Sequence, residues 1–363
     1  MNLISKRVQN FQSSGIRKIF DLAVSLKNPI NFSIGQPDFG VTKAVQIQTI
    51  EAINKNLSHY TPTFGIEALR KKIAEKLLKE NSIKTDRRNI LVTSGTSAAI
   101  FLALSVLVDP DDEVIIPDPY FVEYPELTKF LEGKPIFLDT YPNFQIDPKK
   151  LEKLITKKTK VIIINSPNNP TGAVYSEEIL RKIAEIGRKN NLIIISDEIY
   201  EKFIYDNKTH FSIGSIYKNT ITVNGLSKSG GMTGWRLGWA SGPKDIISKM
   251  GELQQYTIVC APSIVQYGAL AAFESPNHAK EYQQKRDIIF NLLSKKFETV
   301  KPEGAFYIMP KVGDGEKFAE WAIKNNCLLI PGSVFSRKNT HIRISFATSN
   351  ETLEKGAKIL LKY

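Results

Sequence analysis

Cysteine and histidine are scarce in this chain of 363 residues, and their scarcity removes several chemistries at once. The two cysteines, Cys260 and Cys327, lie in apolar contexts without metal-ligand spacing. No disulfide framework is expected, and a reducing compartment fits. The four histidines, His59, His210, His278 and His341, are far apart in sequence and form no zinc motif. No apolar run approaches the length of a membrane span, and the opening MNLISKRVQN lacks a signal-peptide core, so the cytoplasm is the expected location. Three site motifs are missing as well. Without G-x-x-x-x-G-K-[ST] there is no cradle for a triphosphate, although the acidic strand end in IIISDE (193–198) has the look of a magnesium ligand. Without G-x-G-x-x-G there is no dinucleotide turn, and without G-x-S-x-G no nucleophile elbow.

A net charge of +12 raises the question of nucleic acid. The lysines are interleaved with acids along helix-like stretches such as EALRKKIAEKLLKE (67–80), and no DNA-binding module accompanies them. Scattered charge of this kind keeps a protein soluble, so no nucleic-acid partner is expected and no membrane partner either.

The middle of the chain alternates β-rich runs with amphipathic segments. The runs are NILVT (89–93), EVIIP (113–117), VIIIN (161–165), LIIIS (192–196) and TITVN (220–224). Continuous Val/Ile runs separated by helices predict an α/β protein with a mostly parallel sheet covered on both faces. Beyond about residue 245 the pattern turns helix-rich, with a late strand in HIRISFA (341–347) and a closing helix near 350–362. The expected division is a large domain over 31–255 and a smaller α+β domain made from 1–30 together with 256–363. Each run ends in polar chemistry: SGTS, DPYF, SPNNPTG, DEIY and GLSK. Ligands of open α/β sheets bind outside the carboxyl ends of the strands, so these five clusters are expected to converge on one pocket.

A lysine at such a strand end loses solvation, which favours the neutral amine, and neutral amines form Schiff bases with carbonyls such as the aldehyde of pyridoxal phosphate. That cofactor needs an acid beside its ring nitrogen, and a helix N-terminus, hydroxyls and a guanidinium around its phosphate. The spacing S-K-x-x-x-x-T-G-W-R-x-G at 227–238 resembles the cofactor-lysine segment of the class I/II pyridoxal-phosphate-dependent aminotransferases, fold type I. The resemblance runs in family order through IGQPDF (34–39), HYTPTFGIEALR (59–70), VTSGTSAAI (92–100), PDPYFVEYPE (117–126), NSPNNPTG (165–172), SDEIYEKFIYD (196–206), GAFYIMP (304–310), PGSVF (331–335) and HIRISFATS (341–349).

The resemblance implies a role for each matching residue. Lys228 bonds the cofactor aldehyde and later shuttles a proton, Asp197 pairs with the ring nitrogen, and Tyr200 and Asn169 share the ring's phenolic oxygen. Gly95, Thr96, Ser97, Ser227 and Arg236 receive the phosphate, Phe121 stacks on the ring, and Tyr60 reaches the phosphate held by a neighbouring subunit. Arg343 grips the substrate α-carboxylate, Gly35 lets the backbone approach it, and Asn169 borders it. Trp235 and Trp239 read as packing. The resemblance further implies a homodimer with shared active sites. The implied activity is two half-reactions of a ping-pong cycle through the Lys228 Schiff base, with an L-amino acid as donor and a 2-oxo acid, expected to be 2-oxoglutarate, as acceptor.

Three positions depart from the pattern. Gly225 stands where some members have a phosphate-binding serine, and Ser97 where some aspartate-specific members have a lysine. GVTKAV (40–45) replaces the usual D-T-P continuation. Acidic, aromatic and neutral donors therefore all remain open. The rival readings are a β-lyase on the same scaffold, and a regulator of this fold carrying an N-terminal DNA-binding module, for which only about 30 residues precede IGQPDF.

Overall fold

The computed structural model describes residues 3–9, 11, 15–16 and 26–363. Of the segment 1–30 assigned above to the smaller domain, the other residues lie outside that description. Twelve strands are described: β1 (Ile30–Asn31), β2 (Ile90–Thr93), β3 (Glu113–Asp118), β4 (Lys134–Asp139), β5 (Thr159–Asn165), β6 (Ile193–Asp197), β7 (Thr220–Gly225), β8 (Gly238–Ser241), β9 (Tyr307–Ile308), β10 (Cys327–Leu328), β11 (Ile330–Pro331) and β12 (Ile342–Ser345).

Strands β2 to β8 form one seven-stranded sheet in the order β2-β8-β7-β6-β5-β3-β4. Every pair is parallel except those made by β8, which runs against both β7 and β2. The Val/Ile runs are buried on both faces, as continuous runs require. Val161 and Ile163 of β5 join one core cluster with the Thr96–Leu107 helix, while Ile162 and Ile164 join another beneath the Glu177–Lys189 helix. That second helix shows how local sequence makes the cover. Ser176 caps it by accepting from the Ile179 N–H at 3.3 Å, its first turn holds Glu177 and Glu178, and its last holds Arg188 and Lys189. Leu180, Ile183, Ala184 and Gly187, at helical spacing, face the sheet and are buried.

All five Val/Ile runs are strands within two residues of their expected bounds, and 342–345 and 350–360 follow as strand and helix. Two large-sheet strands carry no such signal. β4 (KPIFLD) contains Pro135 and survives as an edge strand, where a missing N–H is tolerated. β8 (GWAS) has no β-branched residue and is held between two partners.

The remaining strands build two small sheets, the parallel pair β1–β10 and the antiparallel order β11-β12-β9. Their core gathers Phe32, Tyr282, Ile289, Phe306, Ile342, Leu353 and Leu360. Ala261, Ala269 and Ala272 pack with Leu69, Ile73, Ile90 and Trp239, beside the β2–β8 edge.

Candidate active site

The carboxyl ends of the parallel strands open into an empty space of about 840 Å³, part of it facing solvent. Gly35, Thr96, Ser97, Phe121, Asn169, Asp197, Tyr200, Ser227, Lys228, Arg236 and Arg343 all line it. The five strand-end clusters thus converge as expected, and the late strand β12 adds Arg343 from the other side. Two expected residues do not line the space. Gly95 lies directly behind Arg236, and Tyr60 is 85% exposed on the surface of this single chain.

Asp197 ends β6, in register with Asn165 at the end of β5. One carboxylate oxygen accepts the Tyr124 hydroxyl at 2.8 Å and the other the Ile199 N–H at 3.2 Å. Asn165 Nδ2 donates to the Asp197 carbonyl at 3.0 Å, and Asn165 Oδ1 accepts the Asn169 N–H at 2.8 Å, so one amide ties two site residues together. Burial pushes the Asp197 carboxyl up to about 6, although Tyr124 and the Ile199 N–H oppose it.

Lys228 Nζ donates to the Gly35 carbonyl at 2.6 Å. Burial and the neighbouring Arg343 bring its amine down to about 8, against the pull of Asp197. Arg343 is buried between the rings of Tyr307 and Phe335, 4.7 and 4.5 Å from their centroids. It donates to Asn169 Oδ1 at 3.1 Å and to the Ser33 carbonyl at 2.5 Å. Its Nε has no hydrogen-bond partner among the described residues. Tyr200 and Tyr307 share a hydroxyl–hydroxyl bond of 2.8 Å.

At the other end of the cavity the Thr96–Leu107 helix begins with no side-chain cap, its first N–H groups left open. Gly95 precedes it at φ 83°, and a Cβ there would sit 2.4 Å from Arg236 Nη2. Arg236 itself takes a left-handed conformation at φ 57°. The Ser97 hydroxyl donates to Glu123 at 2.9 Å, which leaves its backbone N–H for a ligand. Burial pushes the Glu123 carboxyl up to about 7, with Ser97 opposing and Asp197 adding to it.

Sequence reasoning passed over Tyr124, Asn165, Tyr307 and Glu123. Tyr124 and Glu123 lie in the PDPYFVEYPE fragment, at the start of the helix just after Phe121, and Tyr307 lies in GAFYIMP. Asn165 is the last residue of its strand, and the strand-end rule applied to side chains would have found it.

The sequence pattern of the family described as Aminotransferase class I and II matches residues 27–360. The chain belongs to this family. A probable aspartate aminotransferase of Methanocaldococcus jannaschii is 43% identical over 99% of both chains. An aromatic-amino-acid aminotransferase of Thermococcus litoralis is 38% identical over 97% of this chain and 96% of its own. Among solved structures, the Thermus thermophilus aspartate aminotransferase with maleate superimposes with a TM-score of 0.96 at 33% identity, covering all of both chains. The protein is therefore a pyridoxal-phosphate-dependent transaminase of fold type I, with the α/β architecture read from the sequence.

The aminotransferase's own residues fit that cofactor. Asp197 is a buried carboxyl short of positive charge, the need a protonated ring nitrogen meets. The uncapped helix start beside Arg236 suits a phosphate. Replacing Gly95 with alanine tests the fit. The added methyl must displace the Arg236 guanidinium and strain a positive φ, so cofactor affinity should fall about tenfold or more in an absorbance titration of the cofactor-free enzyme.

Proposed function

We propose that this aminotransferase carries the amino group of an L-amino acid to 2-oxoglutarate in two half-reactions that share one pocket. The cofactor supplies an electron-withdrawing ring that stabilises negative charge on the substrate's α-carbon. Asp197 would hold the ring nitrogen in its protonated form. Tyr200, steadied by Tyr307, would donate its hydroxyl proton toward the ring oxygen, with Asn169 beside it. Thr96, the Ser97 N–H, Ser227 and Arg236 would hold the phosphate, and Phe121 one face of the ring. Arg343 would fork onto the substrate α-carboxylate, near Gly35. Lys228 Nζ, with its affinity for a proton brought down to about 8, would take the α-proton and return it on the neighbouring carbon.

The observation that supports this reading best is a half-buried, partly neutral lysine facing a buried guanidinium whose Nε is unpartnered. It is tested by a panel of L-amino donors given to the holoenzyme without acceptor. The cofactor's absorbance should pass from the aldehyde to the amine form, and 2-oxoglutarate should restore it. Aspartate and aromatic donors come first in the panel, because relatives of both names match the chain. Ammonia and pyruvate released from a cysteine conjugate without acceptor would instead indicate the β-lyase.

The working unit in this reading is a cytoplasmic homodimer. Ile47, Ile50 and Ile53 are exposed along one side of the Lys43–Asn54 helix, and Tyr60, Tyr256 and Val259 are exposed as well, more apolar surface than a monomer needs to show. Tyr60 would then meet the phosphate across the subunit boundary. No described helix is long and apolar enough to cross a membrane. The domains in this reading are 31–255 for the larger and 1–30 together with 256–363 for the smaller.

A further inference from the structure

The turn after β6 has two faces. Asp197 and Tyr200 point to the cofactor cavity, while Glu198 and Glu201 point the other way into a buried polar cluster. Glu198 is 1% exposed and fully engaged. One oxygen accepts the Ser196 hydroxyl at 2.9 Å and the Ser212 hydroxyl at 2.7 Å, and the other meets His210 Nε2 at 2.9 Å and Asn81 Nδ2 at 3.1 Å. Glu201 is paired with Lys76 and accepts Asn81 Nδ2 at 2.7 Å. Lys76 also donates to Asn81 Oδ1 at 2.6 Å and lies 3.5 Å from Glu80, which pairs outward with Lys202 at 2.8 Å.

Glu198, Glu201 and His210 sit close enough together to suggest a metal centre. The Lys76 ammonium and the Asn81 amide already supply the donors that these oxygens need. What remains is a charge count. The Glu80–Lys202 pair cancels itself, and Lys76 cancels Glu201, so Glu198 has only His210 to balance it. A buried carboxylate left uncompensated is costly, and here it would stand one residue from Asp197.

We propose that His210 is a positioning residue: as an imidazolium it cancels the charge of Glu198 behind Asp197, which keeps the Asp197 carboxylate ionised toward the cofactor's ring nitrogen. The inference rests on the assignment of Asp197 to that nitrogen. Burial alone would favour a neutral imidazole, but Glu198 and Glu201 outweigh it and raise the His210 pKa. Glu198 acts on Asp197 in the matching sense, raising its proton affinity, while Lys228 lowers it. The other titratable groups acting with Asp197 are Tyr124, Tyr200 and Glu123. None of them belongs to the cluster behind the turn.

The test is the binding of pyridoxamine phosphate to the cofactor-free enzyme across pH, because this amine form makes no bond to Lys228. Affinity should fall on the acid side as Asp197 gains its proton. In His210→Gln, Glu198 is left bare, and that acid limb should move up by about one pH unit, an approximately tenfold loss below it. Adding Glu198→Gln to His210→Gln should return the limb to the wild-type position or lower. A purely structural cluster predicts the reverse, with the double variant worse than either single one and no movement of the limb. That result, or a limb unmoved in His210→Gln, overturns the proposal. Should His210→Gln fail to fold, the wild-type imidazole decides: its NMR titration must show His210 protonated through the pH range of the limb, and a neutral imidazole there overturns the proposal. Failure of wild type to bind pyridoxamine phosphate at any pH would instead remove the cofactor assignment itself.

Discussion

Lys228→Ala should lose transamination by about a thousandfold or more while remaining folded. General acid–base transfer by one positioned group is worth about 10²–10⁴ in rate, and in the proposed reaction the same group would also set the cofactor in place. The readout is the single-turnover conversion of the cofactor from aldehyde to amine form with a good donor. Folding should survive because the amine is a burden on the native chain. Its pKa is lowered to about 8 by burial and by Arg343, so below that pH the folded state holds a cation it disfavours. Removing the cation relieves this cost at neutral pH, and the relief shrinks as the pH rises toward the ordinary lysine value. A thermal melt of the cofactor-free variant at pH 7 should therefore show no drop. Wild-type turnover in Lys228→Ala would refute the assignment of the proton shuttle.

The fold was legible where burial dictates residue type. Strands buried on both faces must be apolar throughout, so VIIIN and LIIIS announced β5 and β6 without ambiguity. β8 was hidden because a strand hydrogen-bonded on both sides needs no propensity of its own. Its Gly238 lies so close to Gly95 and Thr96 that any Cβ would strike their backbone, which explains the choice of residue better than strand preference does. The candidate site was legible in part through charged strand-end residues, Lys228 and Asp197, and for Arg236 and Arg343 through the family resemblance. A lysine and an aspartate at neighbouring strand ends are costly to bury unless a ligand balances them. The hydroxyl partners were not. Tyr124 and Tyr307 look like core aromatics in sequence, and only the geometry shows their oxygens meeting Asp197 and Tyr200. Glu198 and His210 escaped because their chemistry faces away from the cavity, behind Asp197.

Asp197→Asn should weaken cofactor binding and strengthen the cofactor-free fold, in a pH-dependent way. The native carboxyl has its pKa raised from 3.8 to about 6, burial being the main cause. An acid raised in this way stabilises the folded chain fully below its unfolded pKa and loses that contribution as the pH rises through about 6. At pH 8 the wild-type, cofactor-free chain carries the whole cost of a buried charge, on the order of 2–3 kcal/mol for a shift of this size. Asparagine carries none of it. Its geometry can be kept, because Oδ1 still accepts the Ile199 N–H and the Tyr124 hydroxyl can turn to accept from Nδ2. Melting of the cofactor-free pair should separate at pH 8 in favour of the variant and converge toward pH 4. Adding pyridoxal phosphate should close that gap at pH 8, since a neutral amide cannot hold the ring nitrogen protonated. The wild type gains a charge-assisted bond worth about 1.5–3 kcal/mol that the variant lacks. A variant that is less stable than wild type in both states would show instead that Asp197 serves the fold, and the burial cost assigned to it would be wrong.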